Sequence, residues 1–177
     1  TRLTPQNEPY FFEVMDTLKK VKAEIGIYKN IKEHFSDRDE AWVKELEVIY
    51  DYSQLKENPY EFLLSLGGDG TILHSTLLVR DIDIPILGIN LGTLGYLSSV
   101  EKNKIGEAIE DLAKGSFSID ERTMLQLHST PSLFEEENFA LNDFSIHKRD
   151  NSSMITVHTY MNGEFLNTYW ADGLIVS

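Results

Sequence analysis

Cysteine is absent from this sequence of 177 residues. Its absence excludes a disulfide framework and any metal site built on thiolates, and it fits a cytosolic protein. Basic residues are also few, because 16 Lys and Arg stand against 29 Asp and Glu and give a formal net charge of -13. Phosphate backbones are bound by clustered Lys and Arg, and no long basic run occurs here. The composition therefore argues against nucleic acid as a partner.

The chain also lacks a long apolar run and a signal peptide. A membrane-spanning helix needs about 18 or more consecutive apolar residues, and no stretch approaches that length. We therefore expect no membrane partner and a cytoplasmic location. Hydrophobic residues make up 41% of the chain, which is enough for the core of one domain, or of one small domain and part of another.

The most informative stretch is Phe62–Leu73, where an apolar run stops at a glycine-rich turn and resumes at helical spacing. This pattern predicts a strand, a tight turn and a helix. In the turn Gly67-Gly68-Asp69-Gly70-Thr71, the glycines allow backbone N–H groups to approach a phosphate, and Thr71 is expected to help cap the helix. Asp69 is the only acid there, which fits a general base for a hydroxyl that attacks a phosphate. The alternative is a plain glycine-rich connection without a ligand.

A second glycine-rich turn follows another apolar run within Ile84–Leu97. The intervening segment Thr71–Asp83 is long enough for a helix. The two runs therefore predict a strand–helix–strand unit with a right-handed crossover, which brings both turns to the carboxyl edge of a parallel sheet. Ligands of such sheets bind at that edge.

Four motifs together resemble the NAD kinases and occur in that family's order. They are Gly67-Gly68-Asp69-Gly70-Thr71, the segment Gly88–Leu97, the run Leu141-Asn142-Asp143 and the segment Ala171–Ser177. The resemblance covers Leu63 to Ser177. The first motif is shared with lipid kinases and phosphofructokinases, whereas the series of four is specific.

The sequence departs from the family pattern in two respects. The family usually has Glu where this chain has Asp143, which keeps the charge but shortens the side chain by one methylene. The family's next motif, Thr-Pro-Thr-Gly-Ser-Thr-Ala-Tyr, would follow Ser177, and its opening strand would precede Thr1. We therefore expect an incomplete copy of a NAD kinase.

The resemblance implies transfer of the γ-phosphoryl group of ATP, or of polyphosphate, to the 2′-hydroxyl of the adenosine ribose in NAD, giving NADP. Mg²⁺ or another divalent cation would accompany the nucleotide, without a set of metal ligands in the protein. Asp69 would be the general base, and a homo-oligomer, dimer or tetramer, would be expected. The expected binding residues are Gly67, Gly68, Gly70, Thr71, His74, Asn90, Tyr96, Leu97, Asn142, Asp143, Ser153, Trp170 and Asp172.

The resemblance also assigns roles within that set. Tyr96 and Leu97 would line the adenosine pocket, Asn142 and Asp143 would hold ribose and base, and Asp172 would reach the nicotinamide end, often across a subunit interface. The sequence alone leaves simpler alternatives open. His74 fits a polar surface residue equally well, the pair Asn142-Asp143 also fits a bulge or turn, and Asp172 fits a turn that leads into a strand.

The fold expected is α/β, with a parallel-sheet domain over residues 1–115 and the first part of a β-rich, antiparallel, sandwich-like domain over residues 116–177. The nucleotide site would lie in the cleft between them. In the first domain, Tyr10–Ala23 and Ile105–Leu112 are predicted helices. Ala23–Tyr28 is a predicted strand, and Ser36–Glu47 is predicted as a surface segment of undetermined structure whose charges form a solvated face.

Residues beyond Gly115 alternate between apolar and polar, which predicts antiparallel strands. The predicted hairpin pairs Ile155–Met161 with Glu164–Tyr169 through Asn162-Gly163, because that dipeptide favours a tight hairpin turn. The other predicted strands are Phe117–Asp120, Met124–His128, Phe139–Ile146 with a break at Asn142-Asp143, and Leu174–Val176, and the predicted turns include Asp150–Ser153.

Two rival functions follow from these motifs. A lipid kinase of the diacylglycerol type shares the first glycine turn, but the second turn, the Asn142-Asp143 pair and the lack of a membrane-facing run argue against it. A non-catalytic nucleotide-binding module is the rival from another class. Turnover of NAD and ATP separates the enzyme from the module.

Overall fold

The computed structural model describes residues 3–36, 38, 41–92, 95–135, 137–149 and 153–177. It divides the chain into two compact units, Thr1–Asp120 and Glu121–Ser177. Two predicted turns lie partly outside the described residues, at positions 93–94 and 150–152.

The first unit alternates helices with short parallel strands. Its helices are α1 (Glu8–Lys20), α2 (Lys29–His34), α3 (Ala41–Glu45), α4 (Tyr52–Glu57), α5 (Asp69–Val79) and α6 (Ile105–Ala113). Its strands are β1 (Gly26–Tyr28), β2 (Glu47–Ile49), β3 (Leu63–Gly67), β4 (Ile86–Asn90) and β5 (Val100–Glu101), and a 3₁₀ turn covers Lys102–Lys104.

Parallel pairing organises these strands into two sheets, β1–β2 and β3–β4–β5. Gly67 is opposite Asn90 in the β3–β4 register, and Asn90 is opposite Glu101 in the β4–β5 register. The strand–helix–strand prediction for β3, α5 and β4 is confirmed. Both glycine-rich turns therefore follow the carboxyl ends of neighbouring parallel strands.

Three apolar clusters fill the first unit. Phe11 and Met15 of α1 pack with Phe35 and Val43 in one cluster, against which Trp42 also packs. A second cluster contains Val14 of α1, Ile89 of β4, and Ile105 and Ile109 of α6. Residues of α4, β2 and α5 form the third around Ile49, Leu55, Val79 and Ile84.

The prediction of a solvated surface segment over Ser36–Glu47 is wrong for its apolar residues. Val43 is buried, and the Trp42 ring lies 5.3 Å from the Phe35 ring, centroid to centroid, in a T-shaped arrangement. Its part Ala41–Glu45 forms α3, and β2, which begins at Glu47, pairs with β1. Burial of this aromatic cluster outweighs the segment's polar composition.

The second unit consists of short antiparallel pairs. Its strands are β6 (Leu125–Gln126), β7 (Phe139–Ala140), β8 (Phe144–His147), β9 (Ile155–Met161), β10 (Glu164–Ala171) and β11 (Gly173–Val176). The pairs are β6–β7, β8–β11 and β9–β10. The predicted hairpin is confirmed, and Asn162 and Gly163 have φ values of +53° and +86°, as a two-residue hairpin turn requires.

The strand predicted over Phe117–Asp120 is wrong. These residues belong to the first unit and form neither strand nor helix. Phe117 instead packs edge to face on Phe62, with 5.2 Å between the ring centroids. Phe117 therefore has an aromatic contact but no partner strand among the described residues, and Ile119, the other apolar residue of the alternation, is exposed.

Candidate functional site

The first glycine turn joins β3 directly to α5. Gly67 ends the strand with a φ of +156°, and Gly68 is the N-cap of the helix. A side chain at Gly67 would collide with the hydroxyl of Thr71. The turn therefore requires glycine at Gly67, for conformation and for space.

The helix begins at Asp69, two residues earlier than its predicted start. Thr71 consequently lies inside the first helical turn, and its backbone N–H donates to Gly68 O at 2.9 Å. Gly68 rather than Thr71 occupies the N-cap position, and a glycine offers no side-chain oxygen for capping. Asp69 itself lies in the first turn, where the helix dipole favours a negative charge.

The Asp69 carboxylate binds the backbone of the second glycine turn. Oδ2 accepts from the N–H of Tyr96 at 2.7 Å, and Oδ1 accepts from the N–H groups of Leu97 and Ser98 at 3.0 and 3.2 Å. The Ser98 hydroxyl donates to Oδ1 as well, at 3.3 Å. We call this set of four hydrogen bonds the Asp69 clasp. It joins residues 27 to 29 positions apart.

These hydrogen bonds affect the charge of the carboxyl group. The N–H of Tyr96 is the largest influence that holds the pKa of Asp69 below its ordinary value, and Leu97 and Ser98 act in the same direction, whereas burial opposes them. Asp69 is therefore an ionised acceptor at neutral pH. Its charge lies at the carboxyl edge of the sheet, beside the N-terminus of α5.

The other predicted residues of the first unit lie around this clasp or on neighbouring elements. Asn90 ends β4, is buried, and accepts from the N–H of Gly92 through Oδ1 at 2.8 Å. It borders a hollow of about 270 Å³ that is also lined by Glu101, Lys102 and Asn103. Gly70 and His74 are exposed on α5.

Tyr96 contributes through its backbone, since its side chain is 99% exposed. Leu97 is half-buried. The sequence prediction missed two residues beside Asp69: Ser98, whose hydroxyl donates to the carboxylate, and Gly95, where an added Cβ would collide with it. Gly95 could have been singled out as the last glycine of its turn, whereas nothing in the pattern around Ser98 indicates a role.

The predicted residues Asn142, Asp143 and Asp172 of the second unit take part in two separate groups of polar contacts. The amide of Asn142 donates to Asp143 Oδ2 at 2.8 Å, and the Ser145 hydroxyl donates to Asp143 Oδ1 at 3.1 Å. These contacts lie between β7 and β8, so the predicted strand break is confirmed. Asp172 pairs with Lys148, whose Nζ lies 2.6 Å from Asp172 Oδ1.

Ser153 and Trp170 are exposed, the latter by 75%. Ser153 precedes β9, and Trp170 lies on β10 opposite Thr156. The structure thus brings together Asp69 with the turn at 95–98, Asn142 with Asp143, and Asp172 with Lys148. The last contact was not predicted, although Lys148 follows β8 directly.

The sequence profile of the ATP-NAD kinase N-terminal domain matches residues 7–117, more than half of the chain. The chain belongs to the NAD kinase family. The matched segment of this NAD kinase family member contains the whole Asp69 clasp and both glycine turns. The contacts of Asn142, Asp143 and Asp172 lie outside that segment.

Individual family members are similar over most of this chain. The NAD kinase of Cytophaga hutchinsonii is 50% identical over 117 residues, which are 66% of this chain and 40% of that protein. Yeast NADH kinase in complex with NADH has a TM-score of 0.77 at 23% identity, covering 99% of this chain and 54% of that one.

An NAD kinase from Archaeoglobus fulgidus in complex with ATP has a TM-score of 0.50 at 24% identity, covering 84% of this chain and 57% of that one. The chain thus spans about half the length of these relatives. The structural matches establish the fold as that of the NAD and NADH kinases, α/β with an antiparallel β-rich part.

Proposed function

We propose that the protein phosphorylates the 2′-hydroxyl of the adenosine ribose of NAD, with ATP as the donor, to give NADP. The observation that carries this proposal is the Asp69 clasp. It fixes an ionised carboxylate beside a glycine turn and a helix N-terminus, within a segment that matches the family profile. The named activity of the relatives, and the NADH and ATP found with two of them, support the same substrates.

In this proposal the first glycine turn binds phosphate and Asp69 removes the proton. The N–H groups at the start of α5 and the helix dipole favour phosphate oxygens. The carboxylate accepts the proton of the ribose 2′-hydroxyl as that oxygen attacks the γ-phosphorus, and the bond to the departing ADP breaks. Tyr96 and Leu97 at the adenosine, Asn142 and Asp143 at ribose and base, and Asp172 at the nicotinamide remain proposals from the resemblance.

Mg²⁺ enters this scheme with the nucleotide. Among the described residues, no group of three or more acidic or imidazole side chains lies close enough together to hold a metal ion. Bound to the phosphates of ATP, Mg²⁺ supplies the charge compensation that a protein with a net charge of -13 needs for a polyanionic substrate.

The test is NADP formation by the purified protein from NAD, ATP and Mg²⁺, compared with its Asp69→Asn variant. We expect the variant to bind NAD and to lose about 10²- to 10⁴-fold in turnover, since a general base contributes about that much. Wild-type turnover in the variant would contradict the role of Asp69. Binding of both nucleotides without any NADP would favour a non-catalytic module.

We also propose that the protein is a homo-oligomer in the cytoplasm. The family resemblance supports the oligomer, and the absence of cysteine fits the cytoplasm. No helix among the described residues is both long and apolar enough to cross a membrane. Light scattering coupled to size exclusion measures the assembly. A monomer at micromolar concentration would contradict the oligomer.

A further inference from the structure

We infer that Ser98 and Gly95 are positioning residues for Asp69, and that they anchor Oδ1 of its carboxylate so that Oδ2 is the oxygen that accepts the substrate proton. This inference rests on the proposed role of Asp69 as general base. It assigns different tasks to the two oxygens of one side chain.

The hydrogen bonds of the clasp are distributed unequally. Oδ1 accepts three, from Leu97 N, Ser98 N and Ser98 Oγ, whereas Oδ2 accepts one, from Tyr96 N. Each carboxylate oxygen has about two acceptor positions. Oδ1 is therefore saturated by its described partners, whereas Oδ2 keeps one position for a hydroxyl.

Steric constraints hold the carboxylate in this arrangement. A Cβ at Gly95 would collide with all three atoms of the Asp69 carboxyl group. The clash could not be relieved by moving a long flexible side chain, because the carboxylate is short and held by four hydrogen bonds. Ser98 is 7% exposed, so its hydroxyl is confined beside Oδ1.

The fold gives both ends of the clasp a rigid support. Asp69 is the first residue of α5, directly after β3, and Ser98 lies two residues before β5 in the same sheet. Gly88 of β4 lies between these elements, where an added Cβ would be 3.1 Å from Ser98 Cα. Ser98 is thus held against the central strand, and the position of Oδ1 follows from the sheet.

The decisive variant is Gly95→Ala in the purified protein, with Gly92→Ala as the matched control. Both change a glycine of the same turn, but a Cβ at Gly92 would meet no atom of the described residues within 4 Å. We expect Gly95→Ala to lower kcat by about 10²- to 10⁴-fold, approaching loss of the base, with the KM for ATP unchanged. Gly92→Ala should lower kcat far less than Gly95→Ala. Equal loss in both variants, or no loss in Gly95→Ala, would overturn the inference.

A second variant keeps the test independent of the folding of Gly95→Ala. Ser98→Ala removes only the longest of the four hydrogen bonds, and we expect kcat to fall by no more than about tenfold. Fewer donors stabilise the ionised carboxylate less, so the acidic limb of kcat/KM against pH should move to higher pH. A purely structural role would lower activity at every pH without moving that limb, and this result would overturn the inference.

A double variant separates this inference from the proposed function. If Gly95 acts only through the carboxylate, Asp69→Asn with Gly95→Ala should be no slower than Asp69→Asn alone. A much slower double variant would show that Gly95 acts elsewhere. Wild-type turnover in Asp69→Asn would instead contradict the general base, and with it the assignment of the two oxygens.

Discussion

The two units differ in how their strands are held. Every buried residue among those described lies in the first unit, where three apolar clusters join helices to parallel strands. In the second unit the side chains are half-buried or exposed, including Trp170 and Ile175. The same chain therefore stabilises one unit by side-chain packing and the other by strand pairing and tight turns.

The two units also differ in how firmly they hold the residues of the candidate site. The Asp69 clasp lies in the packed unit, at the ends of strands whose faces are covered by α1, α5 and α6. The pairs Asn142–Asp143 and Lys148–Asp172 lie in the other unit and join neighbouring residues or paired strand ends. The general base that we propose, Asp69, lies in the firmer position, and this placement suits such a role because small displacements of a reacting group reduce the rate strongly.

The largest stability difference between the units should come from truncating a branched side chain. Ile89 is fully buried in the second cluster, whereas Ile175 on β11 is 64% exposed. Ile89→Ala should lower the free energy of unfolding by about 2–5 kcal/mol, through lost burial and the cavity that remains. Ile175→Ala should change it by no more than about 0.5 kcal/mol. Urea denaturation measures both, and equal losses would contradict the contrast in packing.

A smaller effect is expected from adding a methyl group inside the packed unit. A Cβ at Gly88 would collide with the end of the Ile72 side chain and would press on Ser98 Cα. Gly88→Ala should therefore destabilise by about 1–3 kcal/mol. The control is Gly106→Ala in α6, where the nearest atom to a Cβ is Thr17 Oγ1 at 4.0 Å.

For that control we expect the opposite sign. Alanine restricts the unfolded chain and favours the helix, so Gly106→Ala should stabilise by about 0.5–1 kcal/mol. Thermal unfolding followed by circular dichroism compares the two variants. A stabilising Gly88→Ala would mean that β4 and Ile72 are packed less tightly than the structure indicates.

Turn geometry should matter equally in both units. Gly115 follows α6 with a φ of +73°, and Gly163 forms the hairpin turn with a φ of +86°. An alanine in the left-handed region costs about 1–2 kcal/mol because its Cβ approaches the carbonyl oxygen. Gly115→Ala and Gly163→Ala should therefore destabilise similarly. A much larger loss for Gly163→Ala would show that the second unit depends on its turns more than the first.

These contrasts also separate what the sequence could predict from what it could not. The unit β3–turn–α5–β4, the end of α6 at Gly115 and the Asn162-Gly163 hairpin were predicted, because each follows from periodicity or turn chemistry within a few residues. The α3–β2 segment was missed, since its structure depends on Trp42 packing against Phe35 and on β2 pairing with β1. Both are contacts between separated segments.

The candidate site divides in the same way. Asp69 could be singled out because it is the only acid in a glycine turn. Its hydrogen bonds from Tyr96, Leu97 and Ser98 could not be predicted from the sequence. They depend on two strand ends that lie side by side in the sheet. Likewise, the Phe117–Asp120 alternation predicted a strand that has no partner among the described residues.

The smallest predicted difference concerns charge on the first unit. The Glu8 carboxylate accepts two hydrogen bonds from Arg38, both at 2.8 Å, and lies 2.7 Å from His34 Nε2. Arg38 is the largest influence that holds the pKa of Glu8 below its ordinary value, and His34 adds to it. A lowered pKa in the folded state means that the stabilising contribution is present above the ordinary pKa of Glu and is lost as the pH falls through the folded value.

Replacing Glu8 with Gln should therefore destabilise the protein more at about pH 5, above the ordinary pKa of Glu, than at about pH 3, below it, because the stabilising contribution of the charge declines as the pH falls. The matched control is Glu121→Gln in the second unit, at an exposed position. Its effect should be small and should not change with pH in this way. Chemical denaturation at the two pH values measures the difference. An equal loss for Glu8→Gln at both would mean that the packed unit gains nothing from the charge of Glu8 and that packing alone separates the two units.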